Sequence, residues 1–149
     1  MSRGPVLRPA TPADAPALVP LLEQLGYAGT EAHIEWRVRE LLSHPDALLL
    51  VAQADGVVLG FMSLHFIPQL AVAGDFCRLS YLCVHESARG LGIGALFEHR
   101  AVEEARRRGC DRIELHSHER RRDAHRFYFR EGYEESPKYL MKRLVQPPR

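Results

Sequence analysis

The chain has 149 residues, 46% hydrophobic and 26% charged, with a formal net charge of +1. That length predicts one domain over residues 1–149, with a core at about 5–145 and enough apolar material to fill it. The near-zero charge gives no global attraction to nucleic acid or to a membrane surface, and no apolar run approaches the roughly 20 residues of a membrane span.

In chain order, Val6-Leu7-Arg8 predicts a short first strand. Thr11-Pro12-Ala13-Asp14 is a helix start, with Thr11 as N-cap, Pro12 at the first helical position and Asp14 favoured by the dipole. This helix should run to about Leu25, and Pro16 and Pro20 predict a kink or break inside it. A second helix is expected over residues 31–43, stopped by Pro45, with Ile34 and Trp36 giving a partly exposed lid. The period then changes. Residues 47–53 and 57–66 flank the turn Ala54-Asp55-Gly56 and predict a hairpin. A loop over 68–75 precedes a strand over 76–84, a glycine-rich turn and an amphipathic helix to about Arg108, closed by Gly109. A strand over 112–118, a charged turn, a helix over 123–131 ending at Gly132, and a final strand within 133–144 complete the chain. Alternating helices and strands around a hairpin predict a mixed α/β sheet covered by helices. The three cysteines, Cys77, Cys83 and Cys110, show no metal-type spacing; free thiols in a reducing cytoplasm account for them. Met1-Ser2-Arg3-Gly4-Pro5 lacks the apolar core of a signal peptide.

The most informative stretch is Arg89-Gly90-Leu91-Gly92-Ile93-Gly94, between a strand and a helix. Glycines let the backbone approach a ligand, and the first helical turn presents unpaired N–H groups with a partial positive charge. The residues alone support a close-packed turn and a phosphate-binding turn equally. A second pattern, Ala124-x-x-Phe127-Tyr128-x-x-x-Gly132-Tyr133, puts Ala124, Phe127 and Tyr128 on one helix face.

Together, in this order and one strand apart, the two patterns resemble the Arg-x-x-Gly-x-Gly and Ala-x-x-Phe-Tyr-x-x-x-Gly-aromatic motifs of the GNAT superfamily of N-acetyltransferases. The wording from Asp123 to Glu134 resembles its aminoalkylphosphonate N-acetyltransferases and their small bacterial relatives. The resemblance implies an α/β (α+β) fold: a central mixed, mostly antiparallel sheet flanked by helices and splayed between its two central strands. It implies acetyl-CoA as co-substrate, with Leu82, Cys83 and Val84 pairing with the pantetheine arm. Arg89, Gly90, Leu91, Gly92, Ile93, Gly94 and the adjoining Ala95 would hold the pyrophosphate, with Phe127 counted among the cofactor-binding residues. Tyr128 would protonate the departing thiolate, a role that suits a phenol of pKa ~10. Many members carry a glutamate base before the pantetheine-pairing valine; here Ser80, Tyr81 and Leu82 stand there.

Freeing an alkylammonium of pKa ~10.4 at neutral pH costs roughly 4 kcal/mol, so a base matters. His116 and His118, on one face of the 112–118 strand, are the candidates; His65 and His85 are weaker ones. With Glu114 these two histidines suggest a metal site, but no fourth ligand is in view and no metal is expected. Arg121 stands where many relatives carry Asn and is a candidate for binding an anionic acceptor, with Arg126 and Arg130 on the same helix. The expected function is acetyl transfer to a primary amine of a small molecule, in the cytoplasm, with no nucleic-acid or membrane partner. A homodimer is common in the family. A non-catalytic acetyl-CoA sensor and a protein or peptide N-acetyltransferase are the alternatives.

Overall fold

The structure is a computed structural model and describes residues 4–116, 122–136 and 139–145. The chain divides into two compact units, Met1–Leu115 and His116–Arg149.

The first unit holds a five-stranded sheet in sequence order: β1 (Val6–Pro9), β2 (Ala47–Ala54), β3 (Val57–Ile67), β4 (Phe76–Val84) and β5 (Arg112–Glu114). The first three pairings are antiparallel and β4–β5 is parallel, so the sheet is mixed and mostly antiparallel. β2 and β3 form the expected hairpin. Asp55 and Gly56 both adopt left-handed φ, +51° and +76°, which matches the twist of a two-residue turn.

Alternation along the strands sorts the core into two layers. Leu49, Val51, Phe61 and Cys83 pack with Leu18 and Leu21 of α1 (Ala15–Gln24) and Val38 of α2 (Ile34–Ser43). The opposite set, including Leu50, Met62, Leu64 and Cys77, is buried beneath α3 (Ile93–Arg107), whose Phe97 and Ala101 are fully enclosed. Gly60 marks the closest approach on that side: a Cβ there would lie 2.7 Å from the Cys83 carbonyl oxygen and 3.2 Å from Phe97.

The first helix differs from expectation. Residues Pro12–Asp14 form a 3-10 turn, and α1 then continues unbroken across Pro20. Pro16 sits in the first turn, where an N–H has no helical partner, and Pro20 forfeits one bond that buried Leu18 and Leu21 outweigh. The Arg8 guanidinium grips Asp14 through Nη1 and Nη2 at 2.8 and 2.9 Å, and the Thr11 N–H donates to the same carboxylate at 2.7 Å. These bonds, Arg8 foremost, hold Asp14 below the usual carboxylate range against the opposing effect of burial.

β5 is shorter than the predicted 112–118 strand: it ends at Glu114, and residues 117 and 118 lie outside the described ones. The second unit contains α4 (Arg122–Arg130), close to the expected helix. Among the described residues of 133–145 no strand forms. Tyr139, Leu140 and Met141 are consecutive and all exposed, so the segment offers no alternating face for a sheet. No described helix is long and apolar enough to cross a membrane.

Candidate active site

Beyond Val84, the chain is pinned before it turns. The His85 N–H donates to the Leu59 carbonyl at 2.7 Å, and its ring accepts the Ser87 N–H at 3.1 Å, capping the 3-10 turn Glu86–Ala88. His85 is thus a capping residue. Gln24 of α1 accepts the Glu86 N–H at 3.2 Å. Gly90 and Gly92 then take left-handed φ of +85° and +79°, and α3 begins at Ile93. A Cβ at either glycine would meet nothing within 4 Å. Backbone conformation, not close packing, therefore demands these glycines, and the space above them is open. The first i to i−4 bond of α3 runs from the Leu96 N–H to the Gly92 carbonyl at 3.1 Å, so the N–H groups of Ile93, Gly94 and Ala95 precede the helical ladder. Fifteen residues of aligned peptide dipole stand behind them. Arg89 lies exposed beside this turn. The arrangement is suited to an anion with several oxygens.

β4 leads into that turn along an open edge. Of its nine residues, 76–78 pair with β5; from 79 to 84 that edge has no strand partner among the described residues. Leu82, Cys83 and Val84 lie on this stretch and remain paired with β3 on the other side. The Cys83 thiol is buried and donates to the Leu21 carbonyl at 3.3 Å. Burial pushes the Cys77 thiol up to about 12, which removes it as a nucleophile at neutral pH.

Between Tyr81 and Leu79 the β3–β4 register slips by one residue at Ser80, a β-bulge. Bulges bend a strand and re-aim its groups. The Ser80 hydroxyl lies 2.9 Å from His65 Nδ1. Both line a cleft of about 490 Å³ with His44, Asp46, Phe66 and Arg78. Burial, and after it His44 and Arg78, holds His65 below the ordinary histidine range. Tyr81, edge-on to Tyr27 at 5.6 Å, is exposed near the bulge. Sequence reasoning ranked His65 low and passed over Arg78. The hairpin turn alone could have located His65 on β3, but nothing local placed it opposite Arg78.

In the second unit, Tyr128 is 8% exposed and packs edge-on against Phe127 and Tyr133 at 5.2 and 5.5 Å. The His116 ring stacks on Tyr139 at 4.2 Å between centroids. His118 and Arg121 lie outside the described residues. Arg126 is paired with Asp123, and Arg130 lies over the Phe127 ring at 5.7 Å. Glu114 accepts from Arg112 Nε at 2.6 Å, an engagement that disfavours it as a metal ligand. The structure thus brings residues 82–84 and 89–95 together at one end of β4 and α3.

Known proteins match this architecture. The family model described as "Acetyltransferase (GNAT) family" matches residues 16–133. An aminoalkylphosphonate N-acetyltransferase of Salmonella typhimurium strain LT2 is 40% identical over 95 residues, covering 64% of this chain and 62% of that protein's length. A crystal structure of a transcriptional regulator from Bacillus halodurans C-125 superposes with a TM-score of 0.86 at 26% identity, covering 94% of this chain and 99% of that one. Glucosamine-6-phosphate N-acetyltransferase from Arabidopsis thaliana shares the fold with a TM-score of 0.83 at 18% identity, over 96% of this chain and all of the other.

Proposed function

The chain belongs to the acetyltransferase (GNAT) family, and on that premise we propose that it transfers an acetyl group from acetyl-CoA to the primary amine of a small, aminophosphonate-like acceptor. One observation carries the reading: the left-handed turn at Gly90 and Gly92, leading into α3 beside the stretch of β4 that has no β5 partner among the described residues. Backbone donors from Arg89 to Ala95 would take the pyrophosphate. The edge at Leu82, Cys83 and Val84 would extend the sheet onto the pantetheine arm, whose amides can pair like a strand.

The acceptor amine attacks the thioester carbonyl directly in a ternary complex. The tetrahedral intermediate then collapses, the C–S bond breaks, the Tyr128 hydroxyl gives its proton to the sulfur, and the surplus proton leaving the former amine nitrogen restores the phenol. An ammonium must first lose a proton, and His116 or His118 is the acceptor for it in this reading. The acidic-acceptor assignment draws on the Salmonella relative's name and on the shared wording from Asp123 to Glu134.

A second reading is an acetyl-CoA-binding regulator without turnover. It is supported by the absence of a carboxylate at Ser80, Tyr81 and Leu82 and by the likeness to a protein titled a transcriptional regulator. Thiol release from acetyl-CoA, followed over a panel of alkylamines, aminophosphonates, polyamines and peptides, separates the two. Amine-dependent release with a mass gain of one acetyl on a small amine is the expected result. Tight acetyl-CoA binding with no release on any amine would favour the regulator.

A further inference from the structure

The cleft at the start of β4 has a chemistry that the acetyl-transfer reading leaves unused. Arg78 lines this cleft, its guanidinium over the Phe76 ring at 5.6 Å. Its Nε is buried and has no hydrogen-bond partner among the described residues, and its Nη2 stands 3.9 Å from Glu114. Glu114 is more closely engaged by Arg112, at 2.6 Å. The one acid in the cleft lining, Asp46, accepts from Arg108 Nη1 at 3.1 Å. Each nearby carboxylate therefore has a closer arginine than Arg78. His44 Nδ1 accepts the Asp46 N–H at 3.0 Å, and His65 Nδ1 is engaged with Ser80.

We propose that this cleft is an anion subsite in which Arg78, with the Ser80–His65 pair beside it, binds the acidic group of the acceptor. The proposal rests on the amine-acceptor reading above and gives it a specificity residue in place of the helix arginines. The Arg78 side chain is 38% exposed, so its terminal nitrogens can take two phosphonate oxygens from the cleft. Burial is the main cause of the depressed basicity of His65, and the charged groups that add to it, His44 and Arg78, are cations. Position fits as well. Two residues beyond Arg78, about 7 Å at ~3.3 Å per residue, β4 bulges at Ser80 and its edge opens. An acid held at Arg78 would set an amine one or two carbons away at that opening.

The test compares kcat/KM for 2-aminoethylphosphonate and for n-propylamine, its uncharged match, in the full-length protein and in Arg78→Gln and Arg78→Lys variants. A second arm titrates methylphosphonate into each protein by calorimetry in the presence of acetyl-CoA. The wild type should prefer the phosphonate by about 10- to 100-fold, the yield of one charge-assisted hydrogen bond. Arg78→Gln should collapse that ratio, and Arg78→Lys should restore part of it, since a point charge replaces a fork. Methylphosphonate binding should weaken in the same order. An undiminished ratio in a folded Arg78→Gln overturns the subsite. Equal rates on both amines in the wild type also overturn it while leaving acetyl transfer intact. If neither amine turns over, the acetyl-transfer reading is the one that fails, and the calorimetry decides the subsite: Arg78-dependent methylphosphonate binding sustains it, and no binding overturns it.

Discussion

Removing the Tyr128 hydroxyl separates a chemical role from a packing role. Its ring lies among Phe127 and Tyr133 and is nearly enclosed, so Tyr128→Phe keeps the ring contacts. As general acid it should cost roughly 10²–10⁴-fold in kcat, with acetyl-CoA affinity by calorimetry little changed; wild-type turnover would leave Tyr128 a core residue only. Asp14 offers a test of stability. Its carboxylate collects the Arg8 fork and the Thr11 N–H, so Asp14→Asn should lose about 1.5–3 kcal/mol in urea unfolding at pH 7. Because its folded pKa is lowered, the wild-type contribution is complete above the unfolded carboxylate value of ~3.9 and fades as pH falls through the folded value. The variant should therefore show a flatter acid limb, and equal limbs would deny the pair its role. Residues whose role depends on local backbone, such as Gly92 and Thr11, were legible in the sequence, whereas Asp14 was read only as a first-turn acid and its Arg8 partner was not. Arg78 and His65 were not, because their meaning comes from a cross-strand register that no local pattern encodes. His85 misled for the opposite reason: its ring serves a local cap, which a count of histidines overlooks.

Turn chemistry made the elements readable. Asp55-Gly56 set the hairpin, and Gly109, at φ +73°, closed α3 where the arginine-rich last turn suggested. The misplaced elements share a cause. β5 and the expected final strand depend on a partner to pair with, and strand propensity says little about partners. α1 crossed Pro20 because tertiary packing overrode one lost hydrogen bond. Gly60 is a glycine whose purpose only the packed sheet reveals. A side chain there would press on the Cys83 carbonyl and on Phe97 at once. Gly60→Val should lower the urea midpoint by the equivalent of about 1–3 kcal/mol, the usual range for overpacking. It should also weaken acetyl-CoA binding, because Cys83 and Val84 must shift to make room. An unchanged midpoint would mean that the β3–β4–α3 contact is looser than these distances imply.

At the scale of the whole molecule, the sheet runs antiparallel from β1 to β4 and then turns parallel at β5. Alternating elements predicted a mixed sheet, and the family resemblance predicted its splay; the point of divergence, just past Arg78, needed coordinates. An edge without a strand partner among the described residues can take another polypeptide as readily as the proposed ligand. Residues 79–84 have no β5 partner among the described residues, and such an edge is the kind along which chains add to one another. Saturating acetyl-CoA should slow hydrogen exchange at the amides of Leu82–Val84 and suppress concentration-dependent association seen by light scattering. Exchange and scattering that ignore the ligand would place its contact elsewhere. Ligand that binds only the folded chain also stabilises it by mass action, about 2.7 kcal/mol at a hundredfold excess over Kd. The protein's solubility and lifetime would then follow the supply of its own co-substrate, so that a cell short of acetyl-CoA would hold less of the enzyme as well as running it more slowly.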